Sequence, residues 1–249
     1  MELIIFIVFG LAIGSFLNVL IFRLPLDQPI TYPPSHCPRC NAPLKPADLI
    51  PVISWIRLKG RCATCGDPIA LRYPLVESLT ALAFAGAWLA TGTWADAVRI
   101  AILFALLIAI AFIDLDHQII PDTLVLAVFL WGLFWQIVMP AISWWQALGG
   151  FALGGGVLLL AAVISRGGMG GGDIKLLAAA GFILGPAMTG MALFISVLIG
   201  SIVGVTLIVK GIRKRKEFIP FGPFLAVGIS ISLLWGPQLL AAYLHLIGW

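Results

Sequence analysis

Long apolar runs dominate this sequence and leave few folds open to it. Runs long enough to cross a membrane occur at 3–22, 74–92, 96–113, 123–139, 145–165, 186–209 and 219–235, with a shorter apolar piece at 174–185 and an apolar tail at 236–249. A hydrocarbon core of about 30 Å requires about 20 apolar residues in a helix. Only 10% of the residues are charged, against about 25% in soluble domains. With the short piece counted as a span and the tail joined to the last run, we predict an all-α polytopic membrane protein with about eight transmembrane helices.

The basic residues predict how these helices are oriented. The first run begins with Glu2 and carries Arg23 at its far end, so we interpret it as an anchor with its N-terminus outside rather than as a signal peptide. Alternation then places 24–73, 114–122, 166–173 and 210–218 in the cytoplasm. Of the 15 Lys and Arg residues, only Arg99 lies near an outside loop, as the positive-inside rule requires. We interpret the net charge of +4 as a result of this orientation and of contact with membrane lipid, and we predict no nucleic acid partner.

The cysteines lie in the one polar insert of the chain. They form two CxxC pairs separated by 21 residues: Cys37, Cys40, Cys62 and Cys65. Each CxxC turn presents two thiolates, and two such turns complete a tetrahedral shell around zinc. A reducing cytoplasm disfavours disulfides. An insert this small needs a structural metal or another cross-link to fold. We predict a zinc-ribbon-like module at 24–73 with a structural zinc ion. A redox-active pair or disulfides is the alternative, and we interpret the neighbouring His36 as a bystander.

Acidic residues cluster at the predicted cytoplasmic boundary. Asp114, Asp116 and Asp122 lie between the third and fourth spans, and Asp173 precedes the short sixth span. Ionisable groups at membrane depth are functional candidates. Two adjacent carboxylates share a proton, so that one activates water while the other polarises a carbonyl or protonates a leaving amine. We predict such a dyad from Asp173 and one aspartate of the first cluster. An N-capping Asp in a flexible turn and a cation site of a transporter are the alternatives.

Several glycines directly precede Asp173 and explain how a substrate could approach its side chain. We expect Gly170 and Gly172 to adopt positive φ and to permit close approach of a peptide main chain to Asp173. Irregular backbone at membrane depth is tolerated only where protein buries it or where it lines a water-filled cavity. In the preceding run, the spacing of Gly150 and Gly154 favours close helix packing.

Several segments together resemble the bacterial type IV prepilin peptidases. They are GSFLNVLIFRLP at 14–25, the two CxxC pairs, RYPLVE at 72–77, IDLDHQIIPD at 113–122, GMGGGD at 168–173 and PFGPFLA at 220–226. The resemblance implies a bifunctional enzyme of the bacterial inner membrane. Its substrates would be type IV prepilins and type II secretion pseudopilins, cleaved after a glycine on the cytoplasmic face. The new N-terminal amine would then be methylated with S-adenosylmethionine.

The same resemblance implies roles for individual residues. Asp114 and Asp173 match the catalytic aspartates, and Gly170, Gly171 and Gly172 form the active-site loop of a GxGD motif, a motif also similar to that of presenilin-type proteases. Asp116 and Asp122 are expected to support the loop or a polar entry path. Glu77 is a candidate for the methyltransferase site, although a charge favoured by the helix dipole explains it equally well.

These roles divide the chain into three segments and leave two other functions open. We expect a first helix at 1–23, the methyltransferase-associated cysteine module at 24–73, and an aspartyl peptidase domain at 74–249. One alternative is a leader peptidase alone, with the module as a docking element. The other is a carboxylate-dependent cation transporter.

Overall fold

A computed structural model describes residues 1–165, 168–212, 214, 217 and 219–246. Its α-helices are α1 (Glu2–Arg23), α2 (Ile53–Arg57), α3 (Arg72–Thr91), α4 (Trp94–His117), α5 (Asp122–Val138), α6 (Trp144–Ile164), α7 (Gly171–Val209) and α8 (Gly222–Leu246). Short 3₁₀ turns lie at Leu24–Leu26 and Pro46–Asp48. Across those ranges no extended strand forms, which confirms the all-α prediction. The basic residues Arg166, Arg213, Arg215 and Lys216, and residues 247–249 of the predicted tail, lie outside the described residues.

Six of the described helices are long and apolar enough to cross a membrane, namely α1, α3, α4, α6, α7 and α8. Helix α5, with 17 residues, is apolar but shorter. The chain is therefore a polytopic membrane protein. It divides into two compact units, Met1–Ala109 and Ile110–Trp249.

In the first unit, α1 and α3 pack closely as an antiparallel pair. A Cβ added to Gly10 would lie 2.6 Å from Cα of Ala81, and one added to Gly14 would lie 2.7 Å from Cα of Glu77. Contacts that lie four residues later in α1 therefore lie four residues earlier in α3, as expected for antiparallel helices. Glycines at these two points remove the side chains that would otherwise hold the backbones apart.

The end of α4 differs from the sequence-based prediction. The third span was expected to end at 113, with Asp114 in a loop that continued to 122. Instead α4 runs through to His117, so Asp114 is part of a helix. The N–H of Gln118 donates a hydrogen bond of 2.9 Å to the carbonyl of Asp114, and the helix ends where Gln118 takes a positive φ of 55°. Pro121 then precedes the first residue of α5, a position at which its missing N–H costs nothing.

Helix α7 is broken near its middle. Gly185 has φ 73° and ψ 171°, a conformation that is essentially restricted to glycine, and Pro186 follows it. A Cβ on Gly181 would lie 3.2 Å from Oγ1 of Thr189, although a straight helix separates residues eight apart by about 12 Å. The chain therefore folds sharply at Gly185, at the boundary predicted between the runs 174–185 and 186–209.

Close backbone packing holds the two halves of α7 in the second unit. A Cβ on Gly150 of α6 would clash with the backbone of Gly181, and one on Gly154 would clash with the carbonyl of Leu177. The prediction that these two glycines allow close helix packing is confirmed. On the second half of α7, the Ser232 hydroxyl of α8 donates a hydrogen bond of 2.7 Å to the carbonyl of Met188.

Candidate functional sites

The first candidate site is the cluster of four cysteine thiols in the first unit. All four Sγ atoms lie within 4.8 Å of one another, and all four cysteines are free. Sγ of Cys37 and Sγ of Cys65, from different CxxC pairs, are 3.8 Å apart. Zinc–sulfur bonds of about 2.3 Å in a tetrahedron require sulfur atoms about 3.8 Å apart. The donor set and its spacing therefore fit a zinc ion.

Each CxxC pair forms the same turn. In the first, the N–H of Asn41 donates to the carbonyl of Cys37 at 2.9 Å; in the second, the N–H of Gly66 donates to the carbonyl of Cys62 at 3.0 Å. Asn41 and Gly66 both have positive φ, which Asn and Gly tolerate best. An isolated antiparallel bridge closes each turn, His36 with Pro43 and Arg61 with Pro68. The shared geometry follows from local sequence, since each turn satisfies its own backbone.

The thiols also change one another's ionisation. The backbone N–H groups of Cys65 and Thr64 lower the pKa of the Cys62 thiol to about 6. The backbone N–H of Asp67 acts in the same direction on Cys65, but burial and the neighbouring thiols, including Cys40, outweigh it and raise the pKa of Cys65 to about 12. Once one thiol is ionised, its neighbours resist ionisation. A divalent cation held by these four cysteines would remove that repulsion, because it binds thiolates.

Glu77 lies at the interface of α1 and α3, where it is 7% exposed. Its Oε2 accepts a hydrogen bond of 2.7 Å from the backbone N–H of Val52, and the side chain of Ser15 also hydrogen-bonds to it. Val52 has φ 60°, an unfavourable value for a β-branched residue. Glu77 therefore connects α3 to the cysteine-containing insert and stabilises a strained turn there.

The second candidate site, in the second unit, contains Asp173. Asp173 is the third residue of α7, is 5% exposed, and its side chain accepts a hydrogen bond from the backbone N–H of Gly170. This is the returning half of a capping box, with Gly170 rather than Asp173 as the N-cap. Its Oδ1 is buried without a hydrogen-bond partner. A buried carboxylate oxygen in that state is available for a proton, a water molecule or a substrate group.

The glycines before Asp173 act through close approach alone. Gly170 has φ −68°, and Gly172 is helical, so the predicted positive φ at these two residues is wrong. A Cβ on Gly172 would lie 2.7 Å from Cβ of Ile120, whereas Gly171 has open space around its Cα. The start of α7 therefore presses against the segment between α4 and α5, and a larger residue at Gly172 would force them apart.

Asp114 lies close enough to Asp173 for a direct electrostatic interaction. It is 4% exposed, and its Oδ2 accepts a hydrogen bond of 2.8 Å from the backbone N–H of Gly222, the first residue of α8. A Cβ on Gly222 would lie 2.7 Å from that Oδ2. The helix N-terminus favours a negatively charged partner. Three helix ends therefore meet at this pair of carboxylates.

The other acidic residues of the cluster are not part of this pair. Asp116 and His117 are exposed at the end of α4. Asp122 forms an ion pair with Lys175, with Nζ 2.8 Å from each carboxylate oxygen. This pair joins the first residue of α5 to the fifth residue of α7, two residues after Asp173.

Comparison with known proteins agrees with this arrangement. Residues 8–91 match the bacterial peptidase A24 N-terminal domain, and residues 101–205 match the type IV leader peptidase family. A prepilin leader peptidase/N-methyltransferase of Bacillus subtilis (strain 168) is 36% identical over 242 residues, 97% of this chain and 98% of the relative. The chain belongs to the type IV leader peptidase family.

Other family members of the same name are similar over comparable lengths. The Aeromonas hydrophila protein is 36% identical over 95% of this chain and 91% of its own length. The Pseudomonas aeruginosa protein is 36% identical over 97% of this chain and 93% of its own length. No solved structure matches the chain significantly. The resemblance to prepilin peptidases stated from the sequence motifs is confirmed.

The contacts of two residues, one at the carboxylate pair and one in the neighbouring ion pair, were not predicted from the sequence. Gly222 appeared only within the motif PFGPFLA, and Lys175 appeared only as a charge. The Gly-Pro pair at 222–223 is a signal for a helix start, because proline is favoured in the first turn. Its contact with Asp114 spans 108 positions in sequence, and spacing alone cannot indicate such a contact.

Proposed function

We propose that this chain removes the leader of type IV prepilins or pseudopilins and then methylates the new N-terminal amine. The observation that carries the peptidase half is the meeting of Asp114 and Asp173, two buried carboxylates from distant segments that interact directly. Membership of the family and the names of the relatives support both halves.

In the proposed peptidase step, Asp114 and Asp173 act as a dyad. In such a dyad the two carboxylates share one proton, so one acts as general base on a water molecule and the other as general acid on the scissile peptide. The unpartnered Oδ1 of Asp173 offers a position for the water or the peptide carbonyl. The hydrogen bond from Gly222 holds Asp114 in place. Of the loop glycines Gly170, Gly171 and Gly172, the first and last lie where a Cβ would come within 3 Å of a neighbouring side chain, so the start of α7 has no room for larger residues there.

We place the dyad at the cytoplasmic face of a membrane protein with eight spans and an outside N-terminus. The eight spans arise when α5 counts as one and α7 counts as two, divided at Gly185. Aromatic side chains favour both membrane interfaces, so they mark where a helix leaves the membrane, and the orientation rests on the basic residues. Trp88 and Trp94 cluster with Phe6, beside the predicted outside end of α1. The basic residues concentrate at the opposite ends. For this family the membrane is the bacterial cytoplasmic membrane.

We assign the methyl-transfer half to the first unit, with the cysteine module at 24–73 and Glu77 as its candidate residues. A zinc ion held by the four cysteines would have a structural role, since four thiolates leave no open coordination position. S-adenosylmethionine is the proposed methyl donor, as the N-methyltransferase name of the relatives suggests. Glu77 already accepts the N–H of Val52, so its contribution would include holding the module against α3.

The test is a reaction of the purified protein in liposomes with a prepilin, with and without S-adenosylmethionine, followed by mass spectrometry of the product N-terminus. The expected product has lost its leader and is heavier by one methyl group when the methyl donor is present. Cleavage without added mass would support a leader peptidase alone. Absence of cleavage, together with an ion flux that Asp114→Asn abolishes, would support a cation transporter instead.

A further inference from the structure

A short segment of the cysteine-containing insert presents apolar side chains that the rest of the chain leaves exposed. Leu49, Ile50, Ile53 and Ile56 are 42%, 44%, 61% and 64% exposed. Ile53 and Ile56 are three residues apart on α2 and therefore share one side of it, while Leu49 and Ile50 lie in the turn that precedes α2. Four large exposed apolar side chains within eight residues of a small polar insert indicate a contact partner.

The other side of this segment is firmly held. Nε1 of Trp55 donates a hydrogen bond of 3.1 Å to the carbonyl of Ile69. Gly60, with φ 68°, packs against the Trp55 ring so closely that a Cβ would lie 2.8 Å from it. Nη2 of Arg57 donates to Oδ1 of Asp48 at 2.7 Å. The isoleucines therefore face outward from a fixed turn.

The hydrogen bond between Val52 and Glu77 fixes the position of this segment along the axis of α3, and therefore its depth relative to the membrane. Glu77 lies five residues into α3, which corresponds to about 7.5 Å along the helix axis, and α3 is apolar enough to cross a membrane. On α3, Leu75 and Leu79 on either side of Glu77 are 53% and 43% exposed. The segment therefore lies at the same depth as the first turns of α3, whose own apolar surface is also exposed.

We propose that residues 49–56 lie in the interface of the lipid bilayer, with their four apolar side chains at the boundary of headgroups and acyl chains. Short amphipathic segments bind there through buried apolar area and through attraction of basic flanks to anionic lipid. Residues 45–61 contain four basic residues and one acidic residue, and basic residues near the surface are attracted to anionic lipid. The basic leader of a prepilin would be repelled by the same flanks. Lipid is therefore the occupant that the charges favour.

Photocrosslinking of the full-length protein tests this placement. A benzophenone amino acid replaces Ile53 in one variant and Arg39 in a matched control, because the Arg39 side chain is 76% exposed but lies in the first CxxC turn. Each variant is reconstituted in liposomes of phosphatidylcholine and phosphatidylglycerol and irradiated. Mass spectrometry of the tryptic peptides then identifies the adducts. We expect lipid adducts at position 53 in several-fold excess over position 39, with or without a prepilin.

Other outcomes would contradict the placement. Equal lipid adducts at the two positions would overturn it, as would adducts at position 53 with prepilin or with another part of the chain in place of lipid. Replacing phosphatidylglycerol by neutral lipid should reduce adducts at position 53, and an unchanged yield would overturn the role of the basic flanks. Crosslinking does not require peptidase activity, so these results are independent of whether the chain cleaves prepilins.

Discussion

The cysteine cluster and the carboxylate pair are assembled in different ways. Both bring side chains from distant parts of the chain together. In the cysteine cluster, each half is a turn that satisfies its own backbone, and the halves need only meet. In the carboxylate pair, Asp114 depends on the start of α8 and Asp173 on the loop before α7. The first site is robust to changes in its surroundings, whereas the second is sensitive to small shifts of helices.

Gly222→Ala should have the largest effect among changes that leave both sites' functional side chains intact. The new Cβ would meet Oδ2 of Asp114 at 2.7 Å and displace the carboxylate, and a misplacement of about 1 Å costs about 10²-fold in rate. We expect kcat for prepilin cleavage to fall by about that factor with KM little changed, as measured by steady-state kinetics in liposomes.

Gly204→Ala is the matched control, since its new Cβ would meet nothing closer than 3.5 Å and should leave cleavage unchanged. Methylation of a peptide that already lacks its leader should survive Gly222→Ala. A Gly222→Ala enzyme that cleaves at the wild-type rate would show that the contact with α8 does not position Asp114.

Cys37→Ser should remove a ligand of the proposed zinc site and so unfold the insert, because structural zinc and folding are coupled. We expect bound zinc, measured by mass spectrometry of metals, to fall from about one ion per chain to none, with loss of methyl transfer and retention of cleavage. His36→Ala, the adjacent change, should keep the zinc. Full zinc content in Cys37→Ser, or loss of zinc in His36→Ala, would contradict the four-thiolate assignment.

Glu77→Ala and Glu77→Gln separate two roles of one residue. Alanine leaves the N–H of Val52 without its acceptor, at a cost of about 1–3 kcal/mol, which should lower the thermal unfolding temperature. Glutamine keeps an acceptor oxygen and should restore most of that loss. If glutamine restores stability but not methylation, the carboxylate takes part in methyl transfer. If it restores both, the residue has only the structural role seen in the hydrogen bond.

Lys175→Met should have the smallest effect. Its ion pair with Asp122 has side chains that are 56% and 72% exposed, and exposed pairs contribute about 0.2–1 kcal/mol. We expect at most a roughly fivefold loss of cleavage, and partial recovery in the exchanged double variant Lys175→Asp with Asp122→Lys. A loss as large as that of Gly222→Ala would mean that Lys175 contacts the substrate.

The sequence predicted the cysteine cluster more completely than the carboxylate pair for a physical reason. The two ligands of each CxxC turn are fixed by four residues of local chain, so spacing is sufficient. The partner of Asp173 had to be taken from the resemblance, because hydropathy alone placed Asp114 beyond the end of a helix that in fact includes it. The contact of Gly222 with Asp114 depends on how α8 packs, which no local pattern specifies. The break at Gly185 falls at the boundary predicted between the runs 174–185 and 186–209, where a Gly-Pro pair also provides a local signal.

The most direct measurement for the dyad is prepilin cleavage by Asp114→Asn, Asp173→Asn and Asp116→Asn. All three substitutions make the same chemical change, and Asp116 lies two residues from Asp114 but on the exposed end of α4. We predict that the first two variants lose cleavage, still methylate a peptide that lacks its leader, and that Asp116→Asn remains active. Cleavage at the wild-type rate by either Asp114→Asn or Asp173→Asn would contradict the dyad.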